Sequence, residues 1–218
     1  CYRGLGHDGM IEKAQKYVKM GFSSIKMQMA HCFKNDEDVA NIKEMRATLG
    51  DDIGIMIDVN QGWSVDEAIK VSKKIEHYNP EWLEEPVMAD DFDGYEKICK
   101  STSIPIVTGE NNFTHNDLLP FMKNKKIRIL QPDIMRGGYT NLIYTSYLAN
   151  QYGIKIAPHM FPELSIHIVA SIENPSWLEY MGWYDHLWKE PLIPVNGTLK
   201  PTNRPGHGMD FKTEIYTL

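Results

Sequence analysis

Residues 53–84 read IGIMIDVNQGWSVDEAIKVSKKIEHYNPEWLE, and this stretch decides the fold. It opens on a nearly continuous apolar run, 53–57, the pattern of a parallel strand buried on both faces. Asp58 closes that run. Ser64 then supplies an N-cap for a helix predicted to reach about residue 77. Trp82 and Leu83 form the next short strand, and Glu84 closes it. The unit is strand, helix, strand, with a carboxylate at the end of each strand.

The same alternation extends in both directions. Met10, Ile11, Ala14, Tyr17 and Val18 recur at helical spacing, so 8–20 is predicted helical, with Gly21 as its stop. A strand follows at 24–29 and a helix at 36–49, ended by Gly50. Beyond Glu84 the predicted helices are 95–100, 116–123, 141–152 and 164–171. The predicted strands are 104–107, 127–130, 154–157 and 177–178. Strict β-then-α order means a parallel sheet with right-handed crossovers. Seven strands at this spacing fit a closed (β/α)8-type TIM barrel better than an open sheet. No Gly-rich fingerprint follows any strand, which weighs against dinucleotide binding. The barrel is expected over 1–187, followed by an irregular Pro- and Gly-rich tail over 188–218.

Composition narrows the function classes. The chain has 218 residues and a formal net charge of -6, enough for one large core and weighing against nucleic acid or an anionic membrane as partner. No apolar run approaches the roughly 20 residues of a membrane helix. The three cysteines, Cys1, Cys32 and Cys99, match no zinc or redox spacing. A reducing compartment, the cytoplasm, is therefore expected. The opening Cys1-Tyr2-Arg3-Gly4 reads like the middle of a longer polypeptide.

The strand ends carry the chemistry. Lys26 and Gln28, then Asp58, Glu84, Glu110, Asp133, His159 and Glu179 would all reach one rim, the C-terminal face where such barrels keep their active sites. One charged residue beginning a loop is ordinary; polar residues at seven strand ends in a row are not. Asp58, Glu84 and Glu110 recur 26 residues apart, twice. Three bare carboxylates that close would repel one another, and a hard divalent cation relieves this. Mg2+ suits an all-oxygen set, whereas zinc would favour His or Cys. Asp133 and His159 end adjacent strands, so the carboxylate can orient the imidazole as a general base. Lys26 and Gln28 point the same way along one strand. Lys26 is suited to a substrate carboxylate, while Gln28 offers hydrogen bonds but no base. Glu179, expected to be protonated by burial near other acids, is placed to donate a hydrogen bond to a developing oxyanion.

Taken together, Lys26-Met27-Gln28, Asp58-Val59-Asn60, Glu84-Glu85-Pro86, Gly109-Glu110-Asn111, Gln131-Pro132-Asp133 with Gly137-Gly138, His159 and the tail's Arg204-Pro205-Gly206-His207-Gly208 resemble the mandelate racemase subgroup of the enolase superfamily. The resemblance implies Mg2+ on Asp58, Glu84 and Glu110, a His159–Asp133 dyad, Glu179 stabilising the enolate, and Lys26, Gln28 and Asn60 facing a small carboxylate substrate. It also implies an N-terminal capping domain and a complete first barrel strand, both expected to lie outside these 218 residues; Cys1 to Arg3 would be that strand's stub. The tail would then pack against the cap, and the chain would form a homo-oligomer or associate with the capping domain. Where the family commonly has a second lysine, this chain has Gln28. A racemase working from both faces needs two bases; a dehydratase can manage with one. The expected activity is Mg2+-dependent dehydration of an acid sugar, an aldonate or aldarate, to a 2-keto-3-deoxy acid. The alternatives are a racemase, epimerase or cycloisomerase of the same group, or a metal-binding barrel without catalysis.

Overall fold

A computed structural model describes residues 1–31 and 34–214; Cys32 lies outside the described residues. The strands are β1 (Ser24–Gln28), β2 (Gly54–Asp58), β3 (Trp82–Glu84), β4 (Ile106–Val107), β5 (Ile129–Leu130) and β6 (Lys155–Ile156). The helices are α1 (Gly6–Lys19), α2 (Asn35–Leu49), α3 (Val65–Ile75), α4 (Phe92–Ser101), α5 (His115–Lys123), α6 (Ile134–Gln151) and α7 (Pro162–Val169). β1 to β4 pair in parallel in sequence order, β5 pairs with β6, and a parallel bridge from Thr108 to Leu130 joins the two sets. Cys1 lies against β1 as a further parallel partner. Its amino group donates to the Lys26 carbonyl, and its carbonyl accepts from Gln28 N at 3.0 Å. Among the described residues, no helix is long and apolar enough to cross a membrane.

The period-2 alternation of strands sorts the core into two layers. Ile25, Met27, Ile55, Ile57, Leu83 and Ile106 pack outward against the helices, in one continuous buried cluster with Met10, Ile42, Val71 and Ile98. Fully burying side chains of this kind contributes about 1.5–3 kcal/mol each. Met56, Trp82, Val107 and Ala157 form a separate cluster on the barrel's inner side. The register aligns Lys26 with Met56 and Trp82, and one rung pair higher Gln28 with Asp58 and Glu84. Apart from Lys26, an apolar inner layer therefore lies directly beneath a polar one. A one-residue slip would reverse both layers, so the outer apolar set fixes which carboxylates face inward.

Several predicted boundaries move, and the largest shift is in α6. The helix expected over 141–152 begins at Ile134, because Asp133 caps it, accepting from Met135 N at 2.6 Å. Gly137-Gly138 looks like a break, but Gly138 absorbs a kink inside the helix at φ 71°. The seventh strand, expected at 177–178, joins the sheet slightly earlier. Ile156 N donates to Asn174 O and Ser176 N to Ile156 O, both at 2.8 Å, around a single bridge at Pro175. Proline has no N–H to extend a ladder.

The tail is pinned to the chain's own barrel at separate points. Trp188 is buried, donates to Glu163 Oε1 at 3.2 Å and stacks on Phe211. Gly197 N donates to Met20 O at 3.0 Å, and a Cβ at Gly197 would come within 2.2 Å of the Gly21 carbonyl oxygen.

Candidate active site

Several strands end in sharp turns, and the turns aim the site residues. Asn60, Gln61, Glu85, Met160 and Phe161 all have positive φ, as does Gly109 at φ 138°. Such backbone is costly for residues other than glycine and concentrates where surrounding structure over-determines it.

Asp58, Glu84 and Glu110 converge with carboxylate oxygens that all lie within 4.8 Å of one another. All three are buried. Asp58 accepts from Asn60 N at 2.9 Å. Glu84 accepts from Lys26 Nζ at 2.9 Å on one oxygen and from Trp82 Nε1 at 3.1 Å on the other. Glu110 Oε2 accepts no hydrogen bond among the described residues, although His159 Nε2 stands 3.3 Å away. Burial, then the neighbouring Glu84, raises the Asp58 carboxyl to about 7. Burial, with Asp58 and Glu84 adding to it against His159, raises Glu110 to about 9. Two inward carboxyls that resist ionisation, one with an unpartnered oxygen, fit a hard divalent cation by donor type, number and burial.

His159 and Asp133 meet as expected. A parallel bridge brings their backbones together, and His159 Nδ1 lies 2.7 Å from Asp133 Oδ2. The other Asp133 oxygen is taken by the α6 N-terminus, so the carboxylate is fixed from both sides. His159 Nε2 is left facing Glu110 and the mouth. Burial alone would lower the imidazole, but the Asp133 hydrogen bond and the charges of Glu179 and Glu110 carry it up to about 9.

Glu179 departs from expectation in its ionisation. Burial would raise it, yet Lys26 Nζ at 2.6 Å and the His159 charge bring it down to about 2. Its other oxygen accepts from Met160 N at 2.8 Å. It is an ion-paired carboxylate, not the protonated donor expected from its burial near other acids. Lys26 in turn is held well above its usual range by Glu179, Glu84 and Asp58 against its own burial.

A cavity of about 1060 Å³ opens onto Lys26, Gln28, Asp58, Glu110, His159 and Glu179. Asn60 lines it as well, while its side-chain oxygen accepts from the Arg3 guanidinium. Glu84 and Asp133 stand behind this front row. Sequence reasoning missed three supporting groups. Trp82 sits two residues before Glu84 and so on the same strand face; that spacing was the available signal. Asn111 donates to Glu85 at 2.6 Å and accepts from Arg136 at 2.9 Å, tying two strand-end loops to the first turn of α6. Arg3 had no sequence signal beyond its place near the start of the chain.

Residues 9–215 match the family described as enolase C-terminal domain-like. A 3,6-anhydro-alpha-L-galactonate cycloisomerase of Streptomyces coelicolor is 30% identical over 92% of this chain and 56% of its own length. An L-talarate/galactarate dehydratase of Salmonella typhimurium is 32% identical over 80% of this chain and 44% of its own. Among solved structures, a racemase from Streptomyces coelicolor with bound magnesium superposes with a TM-score of 0.91 at 28% identity, covering 97% of this chain and 59% of that one. An L-talarate dehydratase from a Polaromonas species, complexed with Mg and L-glucarate, gives 0.89 at 27% identity over the same shares. The chain thus spans about half the length of the curated relatives it matches. With the family pattern covering nearly all of it, the chain belongs to the enolase C-terminal domain-like family, in the mandelate racemase branch of the enolase superfamily.

Proposed function

We propose that this chain carries the catalytic barrel of a Mg2+-dependent, cytoplasmic acid-sugar dehydratase acting on an aldonate or aldarate. The observation that carries the reading is the His159–Asp133 pair set beside three inward carboxylates, with the neutral Gln28 where a second base would stand. Asp58, Glu84 and Glu110 would hold the Mg2+, which when bound draws charge from a substrate carboxylate and makes the adjacent α-proton removable.

The chain's own residues then do the proton work. His159 in its neutral form takes the α-proton on Nε2, and Asp133 stabilises the imidazolium that forms. The electron pair left on C2 forms a C2=C3 double bond as the C3 hydroxyl departs. The same imidazolium returns its proton to that hydroxyl, which leaves as water. The resulting enol tautomerises to the 2-keto-3-deoxy acid. Lys26, held between Glu84 and Glu179, is a fixed positive charge rather than a base. Gln28 can orient the substrate but cannot take a proton from the opposite face.

A cycloisomerase is the second reading, favoured by the 30% identity to the Streptomyces coelicolor enzyme. It would use the same single base.

His159→Asn tests the assignment in a full-length enzyme offered acid sugars in D2O. Loss of general acid–base catalysis typically costs about 10²–10⁴ in rate, and loss of both roles belongs at or beyond the upper end. Asp133→Asn should cost less, because it only weakens and misorients the base. Dehydration retained by His159→Asn would remove the dyad from the mechanism. Racemisation by the parent without a keto product would exclude the dehydratase, and a lactone or ring-opened product would select the cycloisomerase.

A further inference from the structure

Glu84 is the most enclosed carboxylate of the cluster, with no exposed surface, and both its oxygens are already engaged. Lys26 Nζ holds Oε1 at 2.9 Å, and Trp82 Nε1 holds Oε2 at 3.1 Å. A carboxylate oxygen has two lone pairs, so each can still face a cation while accepting one hydrogen bond. The two donors differ in kind. Lys26 brings a positive charge that competes with a bound cation. The indole is neutral, donates only, and cannot be deprotonated at working pH, so it orients the oxygen without repelling a cation.

The fold gives the indole little freedom. Trp82 and Glu84 lie two apart on β3 and face the same side of the sheet. Trp82 is aligned with Met56 across the ladder and packs with Met56, Val107 and Ala157 in the inner apolar layer, with Trp177 against it. Only 3% of the residue is exposed, and it forms part of the cavity wall beneath the polar row. An N–H seated this rigidly fixes the carboxylate plane to within the slack of one hydrogen bond.

We propose that Trp82 is a positioning residue of the metal centre: its indole N–H sets the orientation in which Glu84 meets the cation, and its signals report cation binding. The proposal rests on reading Asp58, Glu84 and Glu110 as the Mg2+ ligands. Groups of this kind, one bond removed from the ion, typically change metal affinity about 10–100-fold when removed.

The test uses the full chain and Mg2+ alone, with two readouts. In the parent protein, indole ¹H–¹⁵N spectra follow the five tryptophans during a Mg2+ titration. One indole N–H should shift along a curve matching the calorimetric affinity, because its acceptor oxygen gains a cation. In Trp82→Phe, that signal should be absent and Mg2+ should bind about 10–100-fold more weakly. The parent titration stands even where the variant folds poorly. If the parent gives no binding heat, the metal assignment fails and takes this proposal with it. If the parent binds Mg2+ but no indole signal moves, or Trp82→Phe folds and binds as the parent does, Trp82 has no such role and the metal site stands.

Discussion

On one side of the mouth Glu179 is ionised, fixed by Lys26 at 2.6 Å and by the Met160 N–H at 2.8 Å. On the other side Glu110, equally a strand-end glutamate, keeps its proton to about pH 9. Both are largely buried, so burial alone does not separate them. The neighbours do. Glu179 faces Lys26, while Glu110 faces Asp58 and Glu84, with only His159 to offset them. One half of the site is complete within the chain; the other half is short of positive charge. A divalent cation on Asp58, Glu84 and Glu110 would supply that charge, next to His159 and the ion-paired Glu179.

The largest expected effect comes from removing a proposed ligand on the side short of positive charge. Glu110→Gln takes away the oxygen with no hydrogen-bond partner, and Mg2+ binding heat should drop to near the detection limit while the fold survives. Calorimetry checks the first, and a thermal melt in Mg2+-free buffer the second. Unchanged binding would mean that the three carboxylates are not a single site.

Breaking the complete side should act on stability instead. Glu179→Gln removes the 2.6 Å partner of a buried lysine. Losing one partner of a buried ion pair typically costs about 3–5 kcal/mol. Lys26 retains Glu84, so the loss should sit at the low end of that range. Denaturant unfolding measures it directly. A neutral outcome would show that Glu84 alone satisfies Lys26, and would weaken the division of the mouth into two halves.

Much of this was legible in the sequence. The alternation of 53–57, Ser64 onward and 82–83 is a direct readout of a parallel strand, a crossover helix and the next strand. The 26-residue spacing of Asp58, Glu84 and Glu110 survives because each strand–helix unit has nearly the same length. The contact between His159 and Asp133 was legible because the two residues close neighbouring strands. The ionisation of Glu179 was not, because it depends on where the flexible Lys26 side chain ends, and strand alternation gives the direction of a side chain but not its reach. The start of α6 was hidden because Gly137-Gly138 mimics a helix stop, while one glycine with positive φ accommodates the kink. Trp82 reads as an apolar strand residue; its polar edge matters only because its indole N–H ends 3.1 Å from a Glu84 oxygen on the same strand face, a reach that alternation does not give.

The two halves also predict opposite responses to pH. Glu179, depressed to about 2, contributes stability above the unfolded carboxylate range and loses it only as pH falls towards 2. Asp58 and Glu110, raised to about 7 and about 9, contribute most below the unfolded range and lose that contribution as pH rises through those values. A cation reverses the second trend, because it binds the ionised carboxylates and expels their protons. The most direct measurement of the central claim is therefore Mg2+ calorimetry between pH 6 and 9 in buffers of different ionisation enthalpy. The account predicts proton release on binding near neutral pH and an affinity that climbs with pH across that window. Binding with no proton release and no pH dependence, or no binding at any pH, would contradict it.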